Sequence, residues 1–292
     1  MRLISYQSTT GPRVAALRGE LAIDLNRADP ELPAEIIALL AQGASGLARA
    51  QRAAAAGPAV PCGTLQLTPP VPRPEKVLCV GLNYVDHAKE GGMAVPSEPV
   101  FFTKLLSTVS APGAAIVLPR NSTQVDYEGE LVVVIGRGGR HIARQRALSH
   151  VAAYCCGNDV SARDWQLAKP GKQWMLGKSF DTFAPFGPAL VTADEIADPG
   201  ALRLQTRLNG KVMQDSHTSQ MIFPVDALIA YVSGVCTLTP GDLIFTGTPS
   251  GVGFARTPQV FLKPSDVVEV EIENLGILRN TVKAEEGDTA RG

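Results

Sequence analysis

The stretch Asp126-Tyr127-Glu128-Gly129-Glu130-Leu131-Val132-Val133-Val134-Ile135 sets two carboxylates directly before five consecutive apolar residues. An apolar run this short cannot span a bilayer, and it reads as a buried strand. Side chains two apart on a strand project to the same side, so Glu128 and Glu130 stand together. Gly129 between them adds no bulk on the opposite side. Two adjacent carboxylates at the mouth of a buried strand repel each other unless something positive lies between them. A divalent cation is one answer. An edge strand with two solvated glutamates is the other, and this stretch alone leaves both open.

The rest of the chain narrows the choice. Its 292 residues allow one large domain, or one with a small companion, and a core that needs no staples. Net charge is −1 and aromatics are 5%, so no electrostatic or stacking footprint for nucleic acid or an anionic membrane is visible. The five cysteines, Cys62, Cys79, Cys155, Cys156 and Cys236, are odd in number and lack C-x-x-C spacing, which points away from disulfides and zinc. Vicinal Cys155 and Cys156 read as small buried hydrophobes. Reduced thiols, and a start (Met1-Arg2-Leu3-Ile4-Ser5) without a signal-type apolar core, predict a cytoplasmic protein.

Residues 2–25 read as short strands and 33–56 as alanine-rich helix broken near Gly43 to Gly46, together a small accessory domain over 1–70. A proline-rich stretch, Pro69 to Pro74, reads as a linker to a catalytic domain over 73–286. Lys76 to Gly81 and Val100 to Lys104 are strand candidates. Between them, His87 and Glu90 share a face at helical spacing, so the carboxylate can orient the imidazole and raise its basicity. Gly91-Gly92 predicts mobility after them, as in a lid. Ala147 to Cys156 reads as a helix running into a strand. Asp159 beyond it is either a helix N-cap or a third oxygen ligand. Asn209-Gly210 marks a hairpin, and Pro224 to Val235 a helix. The glycine-rich loop Gly247 to Gly253 offers backbone N–H groups to an anion, without Walker or G-x-G-x-x-G spacing. Val267 to Ile272 and Leu278 to Val282 close the chain as a strand pair. Strands outnumber helices after residue 73 and do not alternate with them. The expectation is α+β, mostly β, and not a Rossmann or barrel fold.

Five ordered motifs carry a family resemblance: N-Y-x-x-H-x-x-E (83–90), D-Y-E-x-E-L (126–131), N-D-V-S-A-R-D-W-Q (158–166), G-K-S-F-D-T-F (177–183) and T-G-T-P-x-G-V-G (246–253). Together they resemble the fumarylacetoacetate hydrolase family, over about residues 73–285. The wording after Gly171 most resembles its domain-containing protein 2 branch, which includes oxaloacetate tautomerases. The resemblance implies a mixed β-sandwich roll, usually a homodimer, and Mg²⁺ or Mn²⁺ held by Glu128, Glu130 and Asp159. Three hard carboxylates suit a hard divalent cation, and the cluster is expected to be tolerable only when loaded. The resemblance also places His87 and Glu90 on a lid as catalytic groups, with Lys178. Arg163, Gln166, Lys178 and Thr248 are placed around the acidic end of the substrate.

This predicts an enzyme acting on a small 2-oxo or 1,3-dicarbonyl acid through a metal-stabilised enolate. Keto–enol tautomerisation of oxaloacetate is the first expectation. C–C hydrolysis of acylpyruvate or fumarylpyruvate type and decarboxylation share the same enolate and are the alternatives. A non-catalytic module binding a metal and an organic acid is the reading from another class, and it would not require the His87/Glu90 pair.

Overall fold

The structure, a computed structural model, describes residues 1–92 and 94–287. The apolar run after Glu130 is the strand Gly129–Ile135, buried at every residue. It is covered on both faces, which is why its sequence shows no alternation. Val132 and Val134 enter one core with Val77, Cys155, Phe186 and Phe245. Leu131, Val133 and Ile135 enter a second with Cys156, Leu204, Val270 and Leu278. Cys155 and Cys156 therefore divide between the two cores as free, buried thiols.

The strand lies inside a 12-stranded sheet. The main path of that sheet runs 59–61, 21–24, 11–18, 2–8, 184–192, 151–158, 129–135, 243–245, 77–81 and 100–103. A five-stranded sheet, ordered 211–217, 203–208, 267–272, 276–284 and 116–118, packs across the second core. Helix Val225–Val235 joins that core, and helices Ile36–Ala41 and Gly43–Ala56 cover the first. The architecture is the mostly-β α+β class expected from the sequence. The strands before the prolines are part of the large sheet, since Arg2 pairs with Val191 and Leu3 with Leu190.

Local signals hold where they are short-range. Asn209 (φ 52°) and Gly210 (φ 79°) form the hairpin turn, and the alanine-rich segment breaks at Gln42–Gly43. The segment before Cys156 differs. Arg144–His150 is a 3₁₀ helix, and pairing of Val151 with Ile135 draws the chain into the sheet before an α-helix can form.

The two sheets approach closely at Gly129. A Cβ there would lie 2.0 Å from Thr206 Oγ1 and 3.3 Å from Val270 Cγ1. Both neighbours are buried in the second sheet, so the strand or the sheet would have to shift. Gly129→Ala is expected to cost about 1–3 kcal/mol by overpacking. Equilibrium urea unfolding measures it, and an unchanged midpoint would show that the sheets can part freely here.

Candidate active site

Two neighbouring strands bring the carboxylates together. Glu128 precedes the strand Gly129–Ile135, Glu130 is its second residue, and Asp159 follows the strand Val151–Asn158. The antiparallel register sets Gly129 opposite Asn158 and Glu130 opposite Gly157. The ends are locked by Asp159 N donating to the Glu128 carbonyl at 2.9 Å and Glu128 N donating to Asn158 Oδ1 at 2.9 Å. Glu128, Glu130 and Asp159 each offer an oxygen within 4.8 Å of the others, and all three are buried. Asp159 caps no helix, because the residue before helix Arg163–Ala168 is Ala162.

The protein supplies its own countercharges. Lys178 Nζ donates to Glu128 Oε2 at 2.7 Å and to Asp159 Oδ2 at 2.8 Å. Buried Lys104 donates to Asp159 Oδ1, and to the Val160 carbonyl at 3.0 Å. Arg163 bridges Glu128 Oε1 (2.7 Å) and Asp126 Oδ2 (2.8 Å), and its Nη1 donates to Gln166 Oε1 at 2.9 Å. The cluster therefore holds four buried carboxylates, Asp126 included, against three buried cations. The chain's own cations thus offset three of the four charges, a compensation the sequence reading did not include, and one charge is left over. Burial would raise the Glu128 carboxyl, but Lys178 and Arg163 override it and hold it at about 2. Burial would lower the Lys178 ammonium, but Asp159 and Glu128 keep it above its ordinary range.

Glu130 is the exception. No cation pairs with it among the described residues, and it accepts a hydrogen bond from the Gly247 N–H at 2.8 Å. Burial, with Asp159 and Glu128 beside it, pushes its carboxyl well above the usual range. One undercompensated buried carboxylate next to two others is the donor set a hard divalent cation fits.

The glycine-rich loop turns three of its amides, and that of Phe254 after it, to the chain's own carboxylates. Gly247 N–H bonds Glu130, Gly251 N–H bonds both Glu90 oxygens (2.9 and 3.1 Å), and Gly253 and Phe254 N–H bond Asp126 (2.8 and 3.0 Å). Gly247 has φ +98°, and a Cβ there would sit 2.7 Å from Asn83 Cβ. The Thr248 hydroxyl donates to the Gly129 carbonyl at 2.9 Å and accepts from Gln214 Nε2 at 2.8 Å. Gln214 Oε1 in turn accepts from Gly129 N at 2.9 Å, so one buried glutamine of the second sheet pins both the loop and the glutamate strand.

His87 and Glu90 lie on the helix Val85–Glu90, Nδ1 to Oε2 at 3.4 Å. Asp86 of that helix accepts from Ser250 Oγ at 3.0 Å, tying it to the loop. His87 lines a cleft of about 260 Å³ together with Glu128, Arg163, Gln166, Lys178 and Thr248. Asn83 anchors the entry to the helix, its Nδ2 donating to the Thr246 carbonyl at 2.7 Å. The structure thus gathers every candidate named from the sequence. Sequence reasoning missed Lys104, Asp126 and Gln214 as partners of the site. Lys104 ends an unremarkable apolar strand, and Gln214 follows a hairpin far along the chain. Asp126 alone carried a signal, as the first residue of D-Y-E-x-E.

A roll of two packed sheets, whose buried strand ends hold three carboxylates beside a His/Glu pair, has the donor set that suits a divalent cation in an enzyme cleft. The model of the fumarylacetoacetate hydrolase C-terminal domain matches residues 76–283, and the chain belongs to that family. Mitochondrial oxaloacetate tautomerase FAHD2A of Homo sapiens is 49% identical over 287 residues, 97% of this chain and 91% of the relative. A crystal structure described as a putative HpcE protein from Mycobacterium smegmatis has a TM-score of 0.87 at 41% identity, covering 98% of this chain and 100% of that one. Maleylpyruvate hydrolase from Sphingobium sp. SYK-6, in complex with manganese(II) and pyruvate, has a TM-score of 0.82 at 28% identity, covering 98% of this chain and 100% of that one. The relatives from Homo sapiens and Bos taurus are mitochondrial by name, which overturns the cytoplasmic expectation. Free thiols report a reducing environment and carry no address.

Proposed function

We propose that this enzyme is an oxaloacetate keto–enol tautomerase. The observation that carries the reading is the position of His87, lining the same cleft as Glu128 and Lys178 and held to Glu90. With Nδ1 turned to Glu90, Nε2 is the ring nitrogen left to move a proton at substrate C3. Glu90, fixed by the Gly251 N–H, orients the ring and stabilises its protonated form. Glu128, Glu130 and Asp159 would hold Mg²⁺ or Mn²⁺, which when bound supplies Lewis-acid polarisation of the 2-oxo oxygen. Lys178 and the Arg163–Gln166 pair lie where the acidic end of the substrate would be placed, and Thr248 closes that wall. The relatives named oxaloacetate tautomerase, at 46–49% identity, favour tautomerisation over the hydrolysis named for the neighbour at 28%. We assign catalysis to residues 73–286 and an accessory role to 1–70, since the site residues all follow the prolines. A homodimer belongs to the same proposal, with sedimentation velocity as its check.

His87→Gln is expected to lower kcat for enol oxaloacetate decay by about 10²–10⁴, the usual weight of a positioned acid–base group. Ultraviolet absorbance of the enol, at saturating Mg²⁺ or Mn²⁺, reads it. Full turnover by this variant would remove the assignment. Loss of an acylpyruvate chromophore under the same conditions, with no effect on enol decay, would select hydrolysis.

A further inference from the structure

The cleft has two chemically different ends. Its charge gathers at the floor: among the described residues Arg163 and Lys178 are the only lysine or arginine side chains that line it, and both are already engaged by Asp126, Glu128 and Asp159. Apart from His87, Gln166 and Thr248, the rest of the wall is apolar, with Leu82, Phe102, Leu167, Trp174, Val252 and Phe254 as its large side chains. Trp174 packs edge-on to Phe102 at 5.7 Å, and its ring lies where a Cβ on Gly81 would fall, 2.7 Å away. The wall continues outward, with Leu167 and Phe254 each 37% exposed. Exposed large apolar side chains that converge on a cleft mouth mark a surface for an apolar ligand group. A dicarboxylic substrate has its first carboxylate served at the floor. Its second meets no cation on this wall and is left toward open water.

We infer that the enzyme has a further activity, tautomerisation of monoanionic 2-oxo acids whose C3 carries an aromatic or branched aliphatic arm. The inference rests on the tautomerase reading of the same floor and adds the arm-binding wall. The step is balanced without any co-reactant. The C2–C3 π pair of the enol takes a proton at C3, the C2 hydroxyl gives one up, and the 2-oxo group forms with no change in composition.

Phenylpyruvate is the probe, because its enol is followed by ultraviolet absorbance as that of oxaloacetate is. The wild-type holoenzyme is expected to ketonise it with kcat/KM at least equal to that for oxaloacetate. Leu167→Arg and Phe254→Arg, at half-exposed positions, are expected to lower kcat/KM for phenylpyruvate about tenfold relative to oxaloacetate, chiefly through KM. Turnover of oxaloacetate in the same preparations shows that the variants are folded. Oxaloacetate turnover without phenylpyruvate turnover overturns the inference and leaves the tautomerase reading standing. An unchanged substrate ratio in both arginine variants overturns it as well. Failure on both substrates by wild type brings down the tautomerase reading and this inference with it.

Discussion

Replacing Lys104 by methionine is expected to lower the free energy of unfolding of the metal-free protein by about 3–5 kcal/mol, the usual cost of stripping one partner from a buried ion pair. Lys104 is 3% exposed, and its ammonium bonds both Asp159 and the Val160 carbonyl. Methionine keeps the length and apolar stem of the side chain but removes the charge. Asp159 is then left with Lys178, which it already shares with Glu128. Saturating Mn²⁺ is expected to recover part of the deficit, because an ion that binds only the folded state stabilises it by mass action. Urea denaturation with and without Mn²⁺ measures both effects. If the two midpoints match wild type, Lys104 is not a countercharge of the site.

Glu130→Ala is expected to lower Mn²⁺ affinity by at least a hundredfold and turnover by about 10³, since several kcal/mol of Lewis-acid stabilisation go with the ion. Its effect on the metal-free fold should be small by comparison. Among the described residues Glu130 forms no ion pair with a lysine or arginine, and its removal leaves one backbone donor, Gly247 N–H, without its partner. Glu128→Ala makes the contrast, because it strands Lys178 and Arg163 in a buried place. Calorimetric titration with Mn²⁺ separates the two variants from each other and from unfolding. Undiminished Mn²⁺ binding by Glu130→Ala would dismiss the three-carboxylate site.

Much of this site was legible because its signals are local. The i, i+2 spacing of Glu128 and Glu130 and the i, i+3 spacing of His87 and Glu90 depend only on strand and helix periodicity. The length of the apolar run announced a buried strand, and Asn209-Gly210 announced its turn. The glycine-rich loop was legible as a place of close backbone approach, but not as to what it approaches. Its Gly247, Gly251 and Gly253 amides bond Glu130, Glu90 and Asp126, which the chain brings from 117 to 161 positions away.

By itself the sequence determined that a buried strand would end in two carboxylates, that an imidazole would pair with a carboxylate on a short helix, and which family's motifs the chain carries. The tertiary structure alone decided how those charges are held. Lys104 reaches Asp159 across 55 positions, Arg163 reaches Asp126 across 37, and Gln214 reaches Gly129 across 85. Nothing in the local pattern of a lysine or glutamine tells which distant carboxylate or amide it will meet. Sheet register and the packing of one sheet on another settle that, because a buried charge is stable only where the fold places its partner within hydrogen-bond distance.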